Sequence, residues 1–307
     1  MVASRPVPTS GSETREAVYA QPKWLAGVAE RVGSRRFPGE RVLFTGCGTS
    51  FHAAQAAADV AGGKAVEALD LVLTSHEADV LVAISHEGTT ALTTEAVRAF
   101  GGRTWLVTGA PESPLAKLAD EVVVAAPGIE ASYCHTKSYT VALAACAALA
   151  GEDVGGVSEA VALALESGPR LETSDDERWL VVGAGRDWPT AQEAALKLRE
   201  GTFVAAEAYH TEQLLHGHLA AVDETVRAIV LEGEGRAGER SGDVVRALEE
   251  IGCPTDVLPQ APGWERPILG ILPFHLLVLD LAERRGVNPD RIRWDEERWK
   301  RARESYA

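Results

Sequence analysis

The chain has 307 residues, 46% of them hydrophobic and 24% charged, with 45 acidic against 30 basic side chains and a formal net charge of −15. That composition is globular rather than disordered, and the length suits two domains of about 150 residues each. The acidic balance argues against a general affinity for nucleic acid or an anionic membrane, which needs a basic surface, but not against a small anion held by a few backbone N–H groups.

Residues 1–12 are polar, with Pro and Ser and no apolar core; they make no secretory signal and are expected to be disordered. Glu13 to Val32 reads as a helix with apolar Val18, Leu25 and Val28, interrupted near Pro22. Strand-like and helical runs then alternate. Strands are expected over Arg41–Thr45, Ala65–Leu69, Val80–Ser85, Thr104–Thr108 and Glu121–Ala125, and helices over Ser50–Ala61, Thr89–Phe100, Ser113–Ala119 and Thr136–Ala150. Such alternation builds a parallel sheet. The longest nearly apolar stretch, Tyr139–Ala150, is too short to span a bilayer. A helix over Ser158–Glu166 and an acidic linker, Glu172–Asp176, divide a first domain (13–170) from a second (171–290). The second restarts with a strand over Trp179–Val182 and a long helix from Pro189 to about Phe203. It continues with strand Val226–Leu231, helix Gly238–Ile251, strand Thr255–Leu258 and helix Leu272–Arg284. Residues 291–307 are a charged tail with an amphipathic helix from Asp295 to Tyr306. Cys47, Cys134, Cys146 and Cys253 form no C-x-x-C pair, so no zinc site is expected; they read as reduced thiols in a cytoplasmic protein.

The two domains open alike. An apolar run ends in Gly46-Cys47-Gly48 and leads into an Ala-rich helix; a second run ends in Gly183-Ala184-Gly185 and does the same. With one offset, Ala54 falls on Ala191, Gln55 on Gln192 and Ala58 on Ala195. A repeat at this scale predicts two similar α/β halves, with ligands beyond the carboxyl ends of the strands. Neither G-x-G is a dinucleotide fingerprint, because Phe51 and Trp188 stand where the third glycine belongs.

Two helix starts in the first half are rich in hydroxyls: Gly48-Thr49-Ser50, and Ser85-His86-Glu87-Gly88-Thr89-Thr90. They are either ordinary N-caps or a paired anion cradle in which N–H groups and hydroxyls converge. On the helix after Pro189, Glu193, Lys197 and Glu200 share a face, with Glu207, Glu212, His216 and His218 soon after. A carboxylate, an ammonium and an imidazole suit proton transfer; spacing alone favours a Glu–Lys pair on a solvated face. Cys47 reads as a small residue packed in a tight turn rather than as a nucleophile.

Ordered pieces along most of the chain resemble the double sugar-isomerase (SIS) domain family. They are similar to the isomerase half of glucosamine-6-phosphate synthase and to stand-alone aminosugar-phosphate deaminases and fructosamine-phosphate deglycases. The pieces are Glu16–Pro22, Gly46–Ser50, Ser85–Thr90, Thr136–Thr140, Ala194–Glu200, Ala206–Tyr209, His216-Gly217, Leu272–Leu277 and Asn288–Asp290. The resemblance implies an α/β protein of two SIS-type doubly wound parallel-sheet halves with flanking helices. It implies a sugar-phosphate or aminosugar-phosphate aldose–ketose isomerase, or a deaminase of glucosamine 6-phosphate type, with no metal or redox cofactor. It implies that Ser50, Ser85, His86 and Thr90, with Thr49, Thr89 and Cys47 beside them, hold the sugar phosphate. Glu200 would move the carbon proton, Lys197 would support it, and His216 would open the ring from a neighbouring subunit of a homodimer.

Three departures matter. The family's phosphate loop reads S-x-S-G-x-T, and Glu87 stands at its second serine. No glutaminase half lies within these 307 residues, so use of glutamine-derived ammonia is not expected. The position of the synthase's tail lysine falls at Glu297, with Lys300 three residues on, so no Schiff base to the tail is expected. A non-catalytic sugar-phosphate-binding regulator, or an enzyme on a non-phosphorylated sugar, are the alternatives.

Overall fold

The computed structural model describes residues 10–38 and 41–306. In chain order the elements are α1 (Ser12–Leu25), α2 (Val28–Val32), β1 (Val42–Thr45), α3 (Thr49–Ala61), β2 (Lys64–Ala65), α4 (Ala68–Leu73), β3 (Val80–Ile84), α5 (Ala91–Ala99), β4 (Arg103–Thr108) and β5 (Glu121–Val124). Then follow α6 (Lys137–Ala150), α7 (Val157–Ser167), β6 (Arg178–Gly183), α8 (Trp188–Thr202), β7 (Ala205–His210), α9 (Thr211–Leu215), β8 (Val226–Leu231), α10 (Arg236–Ile251), β9 (Thr255–Leu258), α11 (Arg266–Arg285) and α12 (Glu297–Glu304).

The strands form two wholly parallel sheets, ordered β2-β1-β3-β4-β5 and β7-β6-β8-β9, so the fold is α/β with two doubly wound halves as expected. Strands covered on both faces need apolar side chains at successive positions. In β3, Val80, Val82 and Ile84 enter one core while Leu81 and Ala83 enter the other. The larger core runs without a break from the first sheet through α6, α8 and α11 to the second sheet. α6 is buried from Lys137 to Leu149, and its alanines let neighbouring helices approach closely. No helix among the described residues is long and apolar enough to cross a membrane.

Several expectations need correction. Of the polar start, residues 1–9 lie outside the described residues, but a helix already begins at Ser12. The interruption expected near Pro22 falls after Leu25, at Ala26-Gly27. The strand expected over Ala65–Leu69 pairs only at Lys64–Ala65. It then gives way to α4, because Ala68 and Leu71 seal the outer face of the first sheet. Ser113–Ala119 forms turns, not a helix. β7 was not expected; it is an edge strand whose Glu207 is exposed beside buried Ala206, with only small apolar residues to mark the alternation.

The two glycine turns share one geometry. A Cβ on Gly46 would meet the Ser50 carbonyl carbon at 2.7 Å, and one on Gly183 would meet the Asp187 oxygen at 2.7 Å. In each turn the backbone four residues on thus packs directly against the first glycine. Gly48 (φ 55°) and Gly185 (φ 57°) take the left-handed conformation that lets the chain turn.

Candidate active site

The carboxyl ends of β1, β3 and β4 open into a cavity of about 380 Å³. One side is the turn Cys47–Ser50, and the next is Ser85, His86, Glu87, Thr89 and Thr90. Thr108 continues the wall. Tyr133, His135, Ser138 and Tyr139 come from the segment entering α6, Leu196 and Glu200 from α8, and Trp294 from the tail. Its floor is apolar, with Ala53, Ile84, Val107, Ala125 and Val141. The hydroxyls are not ordinary caps: no side chain caps the first turn of α3 or α5.

The loop after β3 is pinned. Gly109 N–H donates to His86 O at 2.9 Å, Thr108 Oγ1 donates to the same oxygen at 3.0 Å, and Leu115 N–H donates to Gly88 O at 3.2 Å. Gly88 has φ 63°, and a Cβ there would strike Ser113 Oγ at 2.0 Å. The His86 Nε2 accepts from Glu130 N–H at 2.9 Å, so that nitrogen carries no proton. Burial, with the charges of His135 and Lys137 nearby, depresses His86 to about 4. Glu87 is exposed at the cavity wall. The Cys47 thiol is half-buried, 3.5 Å from Thr93 Oγ1, and burial raises its pKa, which fits a packed turn residue rather than a thiolate nucleophile.

Behind Glu200 lies a buried ionic chain. Lys197 Nζ is 2.6 Å from Glu200 Oε2 and 3.5 Å from Glu193 Oε1. Glu193 also accepts from Thr49 Oγ1 at 3.1 Å and meets His52 Nδ1 at 2.7 Å. Glu193 and Lys197 are wholly buried, which corrects the solvated face that spacing favours: α3 and α11 cover α8 from both sides. Burial disfavours both charges, but Lys197 and His52 together outweigh it for Glu193, and Glu193 and Glu200 together outweigh it for Lys197, so Glu193 is lowered and Lys197 raised.

Cys47, Thr49, Ser50, Ser85, His86, Thr89, Thr90 and Glu200 therefore share one cavity, and Lys197 holds Glu200 from behind. His216 is not brought to it. It follows α9, its side chain 76% exposed, 3.3 Å from Glu212. Tyr133, His135, Ser138, Tyr139 and Trp294 are cavity residues that sequence reasoning missed. His135 adjoins the Thr136–Thr140 motif, and that adjacency was the available signal. The second glycine turn opens on a separate pocket, lined by Ala184, Gly185, His210, Thr211, Arg236 and Arg240, which holds none of the site residues that the resemblance implies. There Arg266 clamps the buried Asp187 carboxylate at 2.6 and 2.8 Å.

Residues 38–151 match the sequence model of the SIS domain. Among curated proteins, the chain is 28% identical over 328 residues to a glutamine–fructose-6-phosphate aminotransferase (isomerizing) of Pyrococcus horikoshii. That alignment covers 91% of this chain and 54% of the relative. A Bartonella quintana protein of the same name is 29% identical, with 82% and 51% covered. The chain thus spans about half the length of the curated relatives it matches. Among solved structures, the C-terminal domain of the Francisella tularensis glucosamine-fructose-6-phosphate aminotransferase superposes with a TM-score of 0.77 at 20% identity, covering 94% of this chain and 99% of that one. Glucosamine-6-phosphate deaminase of Thermotoga maritima gives 0.75 at 22%, covering 91% and 97%. Tagatose-6-phosphate ketose/aldose isomerase of Escherichia coli gives 0.74 at 17%, covering 94% and 98%. At these identities the superpositions speak for the fold.

Proposed function

Residues 38–151 match the SIS domain, and on that premise we propose that this chain is an enzyme interconverting the aldose and ketose forms of a sugar phosphate or aminosugar phosphate. Where the sugar carries an amine at C2, the same proton transfers would give a C2 imine, which water hydrolyses to the ketose with release of ammonia. One observation carries the reading: a carboxylate base, Glu200, faces the same small cavity as two uncapped, hydroxyl-rich turns. An anion bound at the Thr49 N–H and at Ser50, Ser85 and Thr90 would anchor the sugar, and Glu200 would move a proton between C1 and C2 through an enediol or enolamine. Lys197 fixes the Glu200 carboxylate by its 2.6 Å contact. His216, exposed and away from its own chain's cavity, fits a role in a neighbouring copy of a homodimer.

Glu87 supports a second reading. A carboxylate in the anion cradle repels a phosphate, so a non-phosphorylated or differently charged sugar fits the cavity if Glu87 faces inward. Thermal shifts over hexose phosphates, aminosugar phosphates and their unphosphorylated forms separate these readings, because a ligand that binds only the folded chain raises its melting temperature. Stabilisation by a sugar phosphate followed by its turnover supports the isomerase. Stabilisation without turnover points to a regulator, and stabilisation by unphosphorylated sugars alone overturns the phosphate reading.

A further inference from the structure

We infer that His135, backed by Glu130, is a second proton-transfer residue of this cavity, supplied by the chain to its own site; the inference rests on the isomerase reading above. The Glu130 side chain is wholly buried. Its Oε1 accepts from Thr136 N–H at 2.8 Å and Thr136 Oγ1 at 3.1 Å, and its Oε2 accepts from Ser138 N–H at 2.8 Å. Donors at the start of α6 thus keep a full negative charge inside the protein. The imidazole Nδ1 of His135 stands 3.7 Å from that Oε2 and 3.3 Å from Ser138 Oγ. An ionised carboxylate only accepts, so it favours the proton on Nδ1 and leaves Nε2 as the basic nitrogen.

The ring is 27% exposed and lines the cavity with Glu200. The structure gives its Nε2 no protein partner among the described residues. A buried acid behind an imidazole that opens to a cavity orients the ring and stabilises the imidazolium as it forms. The other charged or titratable groups around the ring are already engaged. His86, edge-on at 5.7 Å, has its Nε2 occupied by Glu130 N–H, and Lys137 is paired with Glu16 at 2.6 Å.

Isomerisation needs two proton shuttles. Glu200 takes the proton from C2 of the open aldose while protonated His135 gives one to O1, and the enediol forms. Glu200 then returns its proton to C1 as neutral His135 removes the proton from O2. The carbonyl has moved from C1 to C2, and both residues regain their starting states.

The test uses the full chain and its His135→Asn and His135→Ser variants. Each leaves the donors to Glu130 in place, and unchanged thermal melts check the fold. With fructose 6-phosphate and glucosamine 6-phosphate as probes, kcat is expected to fall by about 10²–10⁴-fold with KM little changed. The kcat–pH profile is expected to lose one limb, a change that a merely structural ring would not cause. Wild-type kcat and both limbs in the variants would overturn the inference. A separate arm needs no turnover: nitrogen NMR of ¹⁵N-imidazole-labelled protein, with His135 assigned by its absence from His135→Asn. The neutral ring is expected to carry its proton on Nδ1; a proton on Nε2 would overturn the inference. A wild-type chain that turns over no sugar phosphate would overturn the isomerase reading instead, and the tautomer would still decide the Glu130–His135 pair.

Discussion

His52 Nδ1 on α3 and Glu193 Oε2 on α8 meet at 2.7 Å, and this contact joins a helix of the first half to a helix of the second. The same carboxylate takes Thr49 from the anion-side turn and Lys197 from its own helix. A continuous polar chain therefore runs from the hydroxyl-rich turn to the base: Thr49, Glu193, Lys197, Glu200. Sequence alone places these residues on two separate segments; the sheet topology brings them together.

Lys197 is the one cation among the residues of that chain, and it is fully buried. Lys197→Met removes the ammonium that Glu193 and Glu200 share, leaving Glu193 only Thr49 and His52, and breaking a buried pair from one side costs about 3–5 kcal/mol. Urea unfolding at neutral pH is expected to show a loss of this order. A variant as stable as wild type would mean that Lys197 is neutral or unneeded in the fold.

Acid should weaken the fold in two stages of the same sign. His86 and buried His275 are both depressed to about 4 from an ordinary 6.5, chiefly by burial. The unfolded chain thus binds more protons between those values, and stability falls as pH drops from 6.5 towards 4. Glu130 is held at about 2 against an ordinary 4.5, because its contacts with His135, Ser138 and Thr136 outweigh burial. Its contribution is present above 4.5 and is lost between 4.5 and about 2. Neither ring nitrogen of His275 has a partner among the described residues. His275→Leu should therefore stabilise the fold by about 1 kcal/mol at neutral pH and by more at pH 5. Melting temperatures across that range check this, and a destabilised variant would contradict it.

The limits of what the chain discloses are physical. β3 was legible because five successive apolar residues suit a strand covered on both faces. The Gly46 and Gly183 turns were legible because the close approach of helix to strand leaves room for glycine only. The Ser113–Ala119 turns were not, since seven residues with helical spacing form a helix only when packing supports one. Spacing put Glu193 and Lys197 on one face but could not say that α3 and α11 cover it. His135 was marked only by its place beside the Thr136–Thr140 motif, and Trp294 reaches the cavity because the tail folds back over it, which no local pattern records.

Glu87→Ser removes a negative charge beside the start of α5. Phosphate affinity is expected to stay unchanged or to strengthen by about 1 kcal/mol, from the helix-terminus and charge effects together. Calorimetry with a phosphorylated and an unphosphorylated sugar on both proteins measures it. A natural ligand that weakens in the variant would show that Glu87 reads a neutral or cationic group. Tighter phosphate binding by wild type would contradict both accounts.

If His216 serves a neighbouring copy, His216→Asn and Glu200→Gln should each be inactive, while a refolded mixture of the two regains part of the wild-type rate. In a mixed dimer, one cavity can hold an intact Glu200 and an intact His216. No recovery in a mixture shown by sedimentation to contain mixed dimers would overturn the shared site.

The central claim is that Glu200 moves a carbon-bound proton of a sugar held in this cavity. The most direct measurement is NMR of the C1 and C2 hydrogens of fructose 6-phosphate and glucosamine 6-phosphate in D2O, with wild type and with Glu200→Gln. Wild type is expected to exchange a carbon-bound hydrogen for deuterium as it turns over at least one of these sugars. Glu200→Gln is expected to bind that sugar and to exchange it about 10²–10⁴-fold more slowly. Exchange at the wild-type rate in Glu200→Gln would contradict the account.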